Sequence, residues 1–384
     1  MDEIPPETVH HTEQFNHESF AWQSSLCIRG WMLKPRAIGR TMAAMKPAGL
    51  VLLVLVVVAT AGQSAADRRA LGEIDFFGYK GLDLAAVRTA LPFHEGDRFP
   101  PPKVHSDELK RQVGEAVKRV IGREPTNVSF VCCDAKQNFM VYIGLPGESY
   151  QAITFNPPPT GNGRLPKDAV KLQQQMDDAV ERAVMNGHAT EDQSEGYALT
   201  NDPKARKAQL AVRDYALQHE ALIFQILTSS SDAGHRAIAA QMLGYGRQAD
   251  EQIDALVHAS LDTDDGVRND AVRALWALGT AKPALAQKIP PGPFIRLLRS
   301  GSWSDHNKAS LLLLALTTMR DPQLLAQLRA EALDSLLEMG RWRNIGHVEA
   351  ALTILGRMAG IEEETLNKLI DAGQPATILG KFDR

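Results

Sequence analysis

The most regular pattern of apolar and polar positions lies between residues 231 and 279. There the stretch SDAGHRAIAAQMLGYG is followed by TDDGVRNDAVRALWALG, in which a cationic, a small and an aliphatic position recur at helical spacing. The recurring residues are Arg236, Ala239 and Leu243 in the first copy and Arg268, Ala271 and Leu275 in the second. Self-similarity at a period of about 30 to 40 residues is typical of stacked helical hairpins. We therefore predict a solenoid in which each hairpin buries its apolar face against its neighbours.

Looser copies of this pattern continue towards the C-terminus. Lys308 and His347 take the position of the arginine in what we interpret as a third and a fourth copy. Each first helix begins near a residue that can cap it. The capping candidates are Asp232, Asp264 or Asp265, Ser304 or Asp305, and Asn344. Residues 203–384 are accordingly predicted to form roughly three to five helix pairs.

A strand-like pattern precedes the helical array. Residues 72–77, 127–133 and 138–145 alternate between apolar and polar positions, and helical periodicity begins near Asp83 and Ser106. Residues 70–149 are therefore predicted to form a small α+β domain with the order β-α-α-β-β.

Residues 150–202 separate these two parts of the chain. They begin with a stretch rich in proline and glycine, residues 157–163, which is typical of a linker. Residues 166–186 carry one apolar helical face, so the linker is predicted to contain one amphipathic helix. Residues 190–202 are predicted to be irregular.

The first 66 residues do not have the pattern of a folded domain. Residues 1–41 are polar and patternless, so we predict that they are disordered and hypothesise that translation begins at Met42. Residues 42–66 have a basic flank, an apolar run and a small-residue cleavage site, which together indicate a secretory signal peptide. An uncleaved signal anchor at residues 48–66 is the alternative, and it would be the only membrane contact that we expect. The predicted location is therefore the periplasm or the cell envelope.

Composition and charge narrow the classes of partner. The formal net charge is −4, whereas a nucleic-acid-binding module needs a basic surface, so we expect no nucleic-acid partner. The chain has only three cysteines in 384 residues, which argues against a disulfide framework.

The segment DDGVRNDAVRALWALG resembles the first helix of a HEAT repeat. The matching residues are Asp265, Val267, Arg268, Ala271, Leu275 and Gly279. The preceding copy matches in part, through Asp232, Arg236, Ala239 and Leu243. This resemblance implies a mainly α fold, a right-handed α-solenoid of helix pairs with a concave protein-binding surface.

The opening of the predicted α+β domain, IDFFGYKGLDLAAVRTALPFHEGDRF, resembles a POTRA domain. The resemblance rests on Phe77-Gly78 after the first strand and on residues 96–99 after the first helix. The order of a signal peptide, a POTRA-like segment and a HEAT-like array resembles exported bacterial HEAT-repeat proteins.

Enzymatic signatures are missing from the sequence. His94-Glu95 and His219-Glu220 lack the second histidine that a zinc-protease helix requires, and no phosphate loop or nucleophile elbow occurs. We therefore expect no catalytic, cofactor-binding or metal-binding residues, and no cofactor.

A few residues are candidates for other roles. Cys132 and Cys133 follow one another in a predicted strand, so one thiol should be in the core and the other at the surface; a redox role is the alternative. Trp276 is predicted to be a core residue. The candidate interface residues near the starts of the third and fourth first helices are Trp303, Arg341, Trp342 and Arg343, and ordinary packing between repeats is the alternative for the two tryptophans. Arg268 is expected to pair with Asp264 or Asp265 and to connect neighbouring repeats.

The function expected from these observations is that of an exported, non-catalytic scaffold or adaptor that binds a protein or peptide through its solenoid. The α+β module would offer a second contact surface at its sheet edge. A small-ligand-binding or enzyme-associated, lyase-like helical-repeat protein is the alternative, and convergent ionisable residues in the groove would favour it. A weaker alternative is an accessory factor in envelope or outer-membrane assembly.

Overall fold

The computed structural model describes most of the chain after the predicted export segment. The described residues are 69–99, 106–132, 134, 136, 138–188 and 190–383. The predicted disordered segment 1–41, the predicted signal segment 42–66 and Cys133 lie outside them. Within the described residues, no helix combines the length and the apolar character needed to span a bilayer.

The first described part is a small α+β domain. Its elements are β1 (Arg69–Phe77), α1 (Leu84–Ala90), β2 (Arg98–Phe99), α2 (Asp107–Ile121), β3 (Asn127–Cys132) and β4 (Phe139–Gly144). The strands form one sheet of order β2-β1-β4-β3, with β1 parallel to β4 and antiparallel to β2. The predicted order did not include β2, because a strand of two residues is too short to produce an alternating pattern.

The sheet of this domain is buried on both faces. Phe76 and Val141 point into a core shared with α1 and α2, whereas the neighbouring residues Phe77 and Tyr142 belong to the core of the helical array. Successive residues of a strand point to opposite faces, so β4 is buried along its whole length because a different layer covers each face.

The predicted linker packs against the array. Its elements are α3 (Lys167–Met185), β5 (Glu191–Asp192) and β6 (Leu199–Thr200), so a β5–β6 hairpin lies where we predicted irregular structure. Residues 151–163 run along one edge of the array in the reverse order of its helices. The amides of Gln151, Asn156 and Gly161 each donate at 2.8 Å, to the carbonyls of Arg299, Leu261 and Ser229, respectively.

The remainder of the described chain is helical. Its elements are α4 (Pro203–Gln218), α5 (Glu220–Ser229), α6 (Ala233–Leu243), α7 (Asp250–Ala259), α8 (Asp265–Ala281), α9 (Pro283–Ala286), α10 (Gly292–Leu297), α11 (Trp303–Leu316), α12 (Pro322–Met339), α13 (Ile345–Met358), α14 (Glu363–Asp371) and α15 (Pro375–Leu379). The first helices α6, α8, α11 and α13 stack in chain order. The prediction of a mainly α, helix-pair solenoid behind a small α+β domain is confirmed.

The arginines of the repeat pattern connect neighbouring helix pairs. Arg236 forms a two-pronged ion pair with Asp262, with both distances 2.8 Å, and Arg268 forms the equivalent pair with Asp305 at 2.9 and 3.0 Å. The expectation that Arg268 pairs with Asp264 or Asp265 is therefore wrong. Asp264 instead caps α8 by accepting from the amide of Val267, and Asp265 is exposed in the first turn.

The pattern also slips in the later copies. Arg236 and Arg268 lie four residues after their N-caps, and each donates to a carbonyl six residues earlier, that of Ser230 and Asp262. In α11 the residue at that position is His306, whose Nε2 lies 2.9 Å from the carbonyl of Ser300. The predicted frame at Lys308 is thus displaced by two residues. The N-cap of α11 is Ser302, and Ser304 and Asp305 lie inside the helix.

In α13, whose N-cap is Asn344, the residue four positions on is Val348, so His347 is displaced by one. Apolar periodicity alone could not distinguish the correct register from these shifted ones, because nearly all residues of α11 and α13 are buried.

Candidate functional site

Trp303 and Trp342 lie in the interior, which contradicts their prediction as an exposed interface. Their exposed fractions are 0% and 4%. Both rings pack against Tyr142 of β4, with ring centroids 5.0 and 4.9 Å away, and the Tyr142 hydroxyl contacts Nδ1 of His347. The physical reason is that the second face of the sheet carries apolar side chains, such as Tyr142, that are buried against another layer. These tryptophans bind the protein's own α+β domain.

Of the two candidate arginines, one lies at the surface and the other at the interface with the α+β domain. Arg341 is exposed and donates to the carbonyl of Leu337 at 3.1 Å. Arg343 reaches the α+β domain, where it donates to Glu95 at 2.6 Å and to Asp75 at 3.2 Å. These hydrogen bonds, with Glu95 as the largest contributor, raise the pKa of Arg343 further above its usual value. Arg343 therefore holds the two parts of the chain together.

Glu338 of α12 is a second residue that connects the two parts of the chain, and it was not predicted from the sequence. Its carboxylate accepts from the consecutive amides of Gly78, Tyr79 and Lys80 at 2.6 to 3.0 Å and from the Ser149 hydroxyl at 2.6 Å. Burial raises the pKa of Glu338, although these hydrogen bonds oppose the shift. The sequence did contain a signal for this contact, because the acidic Glu338 lies next to Met339 among the buried residues of α12.

The residues that match the HEAT pattern have structural positions. Asp232 caps α6 by accepting from the amide of His235. Buried positions on α6 and α8 are held by Arg236, Ala239, Leu243, Val267, Arg268, Ala271, Leu275 and Gly279. The predicted core residue Trp276 is also buried. These residues build the stack, so a binding surface must be sought beside them.

Cys132 lies near the end of β3, with its Sγ 3.2 Å from Nη1 of Arg69, and it is disulfide-bonded. Its role, like that of Cys133, stays a prediction. No group of three histidine, cysteine, aspartate or glutamate side chains within the described residues is placed to hold a metal ion.

Ionisable side chains meet in the interior between α8, α11 and the β5 segment. Arg273 of α8 forms an ion pair with Oε1 of Glu191. Lys308 interacts electrostatically with both partners of this pair, and Asp270 interacts with Arg273. Burial raises the pKa of Asp270 to about 7 and lowers the pKa of Lys308 to about 8. Burial also raises the pKa of Asp177 of α3 to about 7, and Asp177 interacts electrostatically with Asp270.

An apolar groove opens next to Glu191. We define it as the groove between the C-terminal ends of α8 and α11, with a volume of about 840 Å³. Its wall is formed by Thr190, Glu191, Gln193, Ser194, Trp276, Gly279, Thr280, Ala281, Pro283, Ala286, Gln287, Ile289, Pro291, Leu314, Ala315, Leu316, Thr318, Met319, Asp321 and Leu324. Met319 at its rim is 76% exposed, the highest value among the large apolar side chains of the described residues. The groove has the apolar character typical of a binding site.

The electrostatic character of the groove is acidic. Glu191 and Asp321 are the ionisable residues of its wall, and both are acids. The C-terminal turns of α8 and α11 also line it, and the C-terminal end of a helix carries partial negative charge; the start of α12, which also lies in the wall, is capped by Asp321. Sequence reasoning missed this site because Glu191 lies in the stretch that we predicted to be irregular.

A second, smaller depression is polar. Its volume is about 500 Å³, and its charged lining residues are Glu195, Arg213, Glu220, Arg247 and Lys282. Arg247 and Glu220 pair at 3.4 Å, and Arg213 lies over the ring of Tyr197 at 4.8 Å. Two acids and three bases line it, so the depression is weakly basic, in contrast to the groove.

Comparisons with known proteins leave the family open. The chain matches no protein-family model and no curated protein. An engineered protein of known structure superposes with a TM-score of 0.34 at 16% identity, over 56% of this chain and 95% of its own. Computationally designed armadillo repeat proteins for modular peptide recognition superpose at 0.32 and 17%, over 53% and 87%. A designed armadillo repeat protein in complex with the peptide (KR)4 superposes at 0.33 and 16%, over 54% and 89%. Superpositions with TM-scores this low do not assign the chain to a family.

Proposed function

We propose that the protein is an exported, non-catalytic scaffold that binds an apolar segment of a partner polypeptide in the groove between α8 and α11. The observation that carries the proposal is the groove itself, which has a volume of about 840 Å³ and a mainly apolar wall. Export rests on the signal-like pattern of residues 42–66.

The position of the α+β domain supports this choice of surface. The domain covers the starts of α11 and α13, where Trp303 and His347 contact Tyr142. That surface is occupied by the protein's own chain. The groove lies at the opposite, C-terminal ends of the first helices and includes Met319, which stays exposed.

The alternative of a small-ligand-binding or lyase-like protein draws on the interior ionisable residues. Of Asp177, Glu191, Asp270, Arg273 and Lys308, Glu191 is the one that lines the groove. The others are not part of the groove wall, and the shifted pKa values of Asp177, Asp270 and Lys308 are explained chiefly by burial. This arrangement favours the scaffold as the main proposal.

A peptide selection tests the proposed function. Peptides of random sequence displayed on phage are selected on the full chain, and their affinities are measured for two matched variants by calorimetry. Thr280→Trp fills the groove, whereas Thr228→Trp alters another exposed threonine, also the last residue but one of its helix. We expect Thr280→Trp to weaken binding at least tenfold and Thr228→Trp to leave it unchanged. Equal affinities for both variants would refute the proposal.

A further inference from the structure

One polar side chain stands out in the mainly apolar wall of the groove. Glu191 is 1% exposed at its side chain, yet it lines the groove. Its Oε1 pairs with Arg273, whereas Oε2 has no hydrogen-bond partner within the described part of the chain. A buried carboxylate oxygen without a partner is costly, and a ligand that donates to it recovers that cost.

We propose that Glu191 selects a partner segment in which a lysine or arginine side chain is flanked by apolar residues. This inference rests on the proposed function of the groove. The cationic group would donate to Oε2 of Glu191, while the flanking side chains would pack on the apolar wall near Leu316 and Met319.

Three features favour a cation over a neutral donor. Asp321 adds a second acid to the wall, and none of the described residues that form the wall is basic. The C-terminal turns at Ala281 and Leu316 line the groove with partial negative charge, whereas the partial positive charge at the N-terminus of α12 is capped by Asp321, which accepts from the amide of Gln323. A charge-assisted hydrogen bond is also about twice as strong as a neutral one.

Arg273 does not satisfy Glu191 fully. A carboxylate has two oxygens that can accept from separate donors, and Arg273 contacts only Oε1. Lys308 also interacts electrostatically with Glu191, but no donor contacts Oε2 within the described residues. Oε2 of Glu191 therefore retains acceptor capacity.

The test changes the peptide and the protein separately. Peptides selected as described above are synthesised with their lysine kept or replaced by norleucine, which preserves the aliphatic stem and removes the charge. We expect the norleucine peptide to bind the unmodified protein about ten- to a hundredfold more weakly, in line with a hydrogen bond to a charged group. Because the protein is unchanged, this comparison does not depend on the folding of a variant.

Glu191→Gln provides the complementary measurement, with Glu363→Gln as the control. Glu363 also pairs with arginines, at 2.7 Å from Arg357 and 2.9 Å from Arg320, but it is not part of the groove. We expect Glu191→Gln to remove the preference for lysine over norleucine and Glu363→Gln to retain it.

The outcomes separate the two proposals. If peptides bind in a Thr280-dependent manner but lysine and norleucine are equivalent, the role of Glu191 is wrong and the groove proposal stands. If no peptide depends on Thr280, the groove proposal fails and this inference fails with it. A lysine preference that persists in Glu191→Gln would also contradict the inference.

Discussion

The ion pair between Arg268 and Asp305 gives the sharpest prediction about stability. The two side chains are 5% and 1% exposed, and they join α8 to α11 through hydrogen bonds of 2.9 and 3.0 Å. Asp305→Ala would leave the guanidinium of Arg268 buried, next to the carbonyls of Asp262 and Thr263 but without a counter-charge. Breaking a buried pair in this way costs about 3–5 kcal/mol, so we expect a loss of that size in the free energy of unfolding.

Urea denaturation measures this loss, and the buried Trp276 and Trp303 provide intrinsic fluorescence as the probe. Arg268→Ala should cost at least as much, because Arg268 also lies over the ring of Phe155 at 4.2 Å. The double variant should lose less than the sum of the two single variants, since their interaction is then counted once.

The control is Glu364→Ala, which breaks the exposed pair with Lys368 and should change stability by less than about 1 kcal/mol. A loss of under about 1 kcal/mol for Asp305→Ala, or simple additivity of Arg268→Ala and Asp305→Ala, would refute the reasoning.

Three further predictions concern other parts of the fold. Glu338→Gln replaces an acceptor of four hydrogen bonds by an amide that cannot serve all four, so amide exchange at residues 78–80 should accelerate at least tenfold. Asp270 prefers its protonated form in the fold, because burial raises its pKa from the ordinary 3.8 to about 7, so its contribution to stability is lost as the pH rises through that window. Asp270→Asn should therefore gain roughly 2 kcal/mol relative to the unmodified protein between pH 5 and pH 8, measured by urea denaturation. Gly279→Ala should raise stability by about 0.5–1 kcal/mol, because its new Cβ would lie 3.7 Å from its neighbours, and thermal unfolding checks this.

Each of these has a defined contrary result. Unchanged exchange at residues 78–80 would show that Glu338 does not hold the α+β domain. A stability difference between Asp270→Asn and the unmodified protein that does not vary with pH would contradict the buried-acid account. Gly356→Ala is the control for Gly279→Ala, since its Cβ would lie 2.3 Å from Cδ1 of Leu366 and should destabilise; equal effects of the two changes would be contrary evidence.

Local chemistry made much of the fold predictable from the sequence. Asp232 caps the helix that it was expected to cap, and Asp83, near which helical periodicity begins, caps α1, because a cap and its helix lie within a few residues of each other. The recurrence of Arg236 as Arg268 at a repeat-like spacing predicted the stack, because similar helix pairs bury similar faces against their neighbours.

Long-range partners could not be read from the sequence. Asp305 meets Arg268 across 37 positions, and Glu338 meets Gly78 across 260. Trp303 and Trp342 gave a similar problem, since their burial depends on the second face of a sheet formed much earlier in the chain. Periodicity identifies an apolar face but not the element that covers it.

The candidate groove was harder to predict for the same reason. Its wall combines the ends of α8 and α11 with Glu191 from a hairpin of two-residue strands. No window of sequence contains these parts together, and the acid that we expect to confer specificity lies in a stretch without helical periodicity.

Photo-cross-linking tests the central claim, that a peptide binds in this groove, most directly. A selected peptide carrying a benzophenone group is irradiated with the full chain, and the adducts are located by mass spectrometry. We predict adducts on Met319 and on other residues of the groove wall, and their loss in Thr280→Trp but not in Thr228→Trp. Adducts that map to the α+β domain or to the polar depression around Arg213, and that persist in Thr280→Trp, would contradict the account.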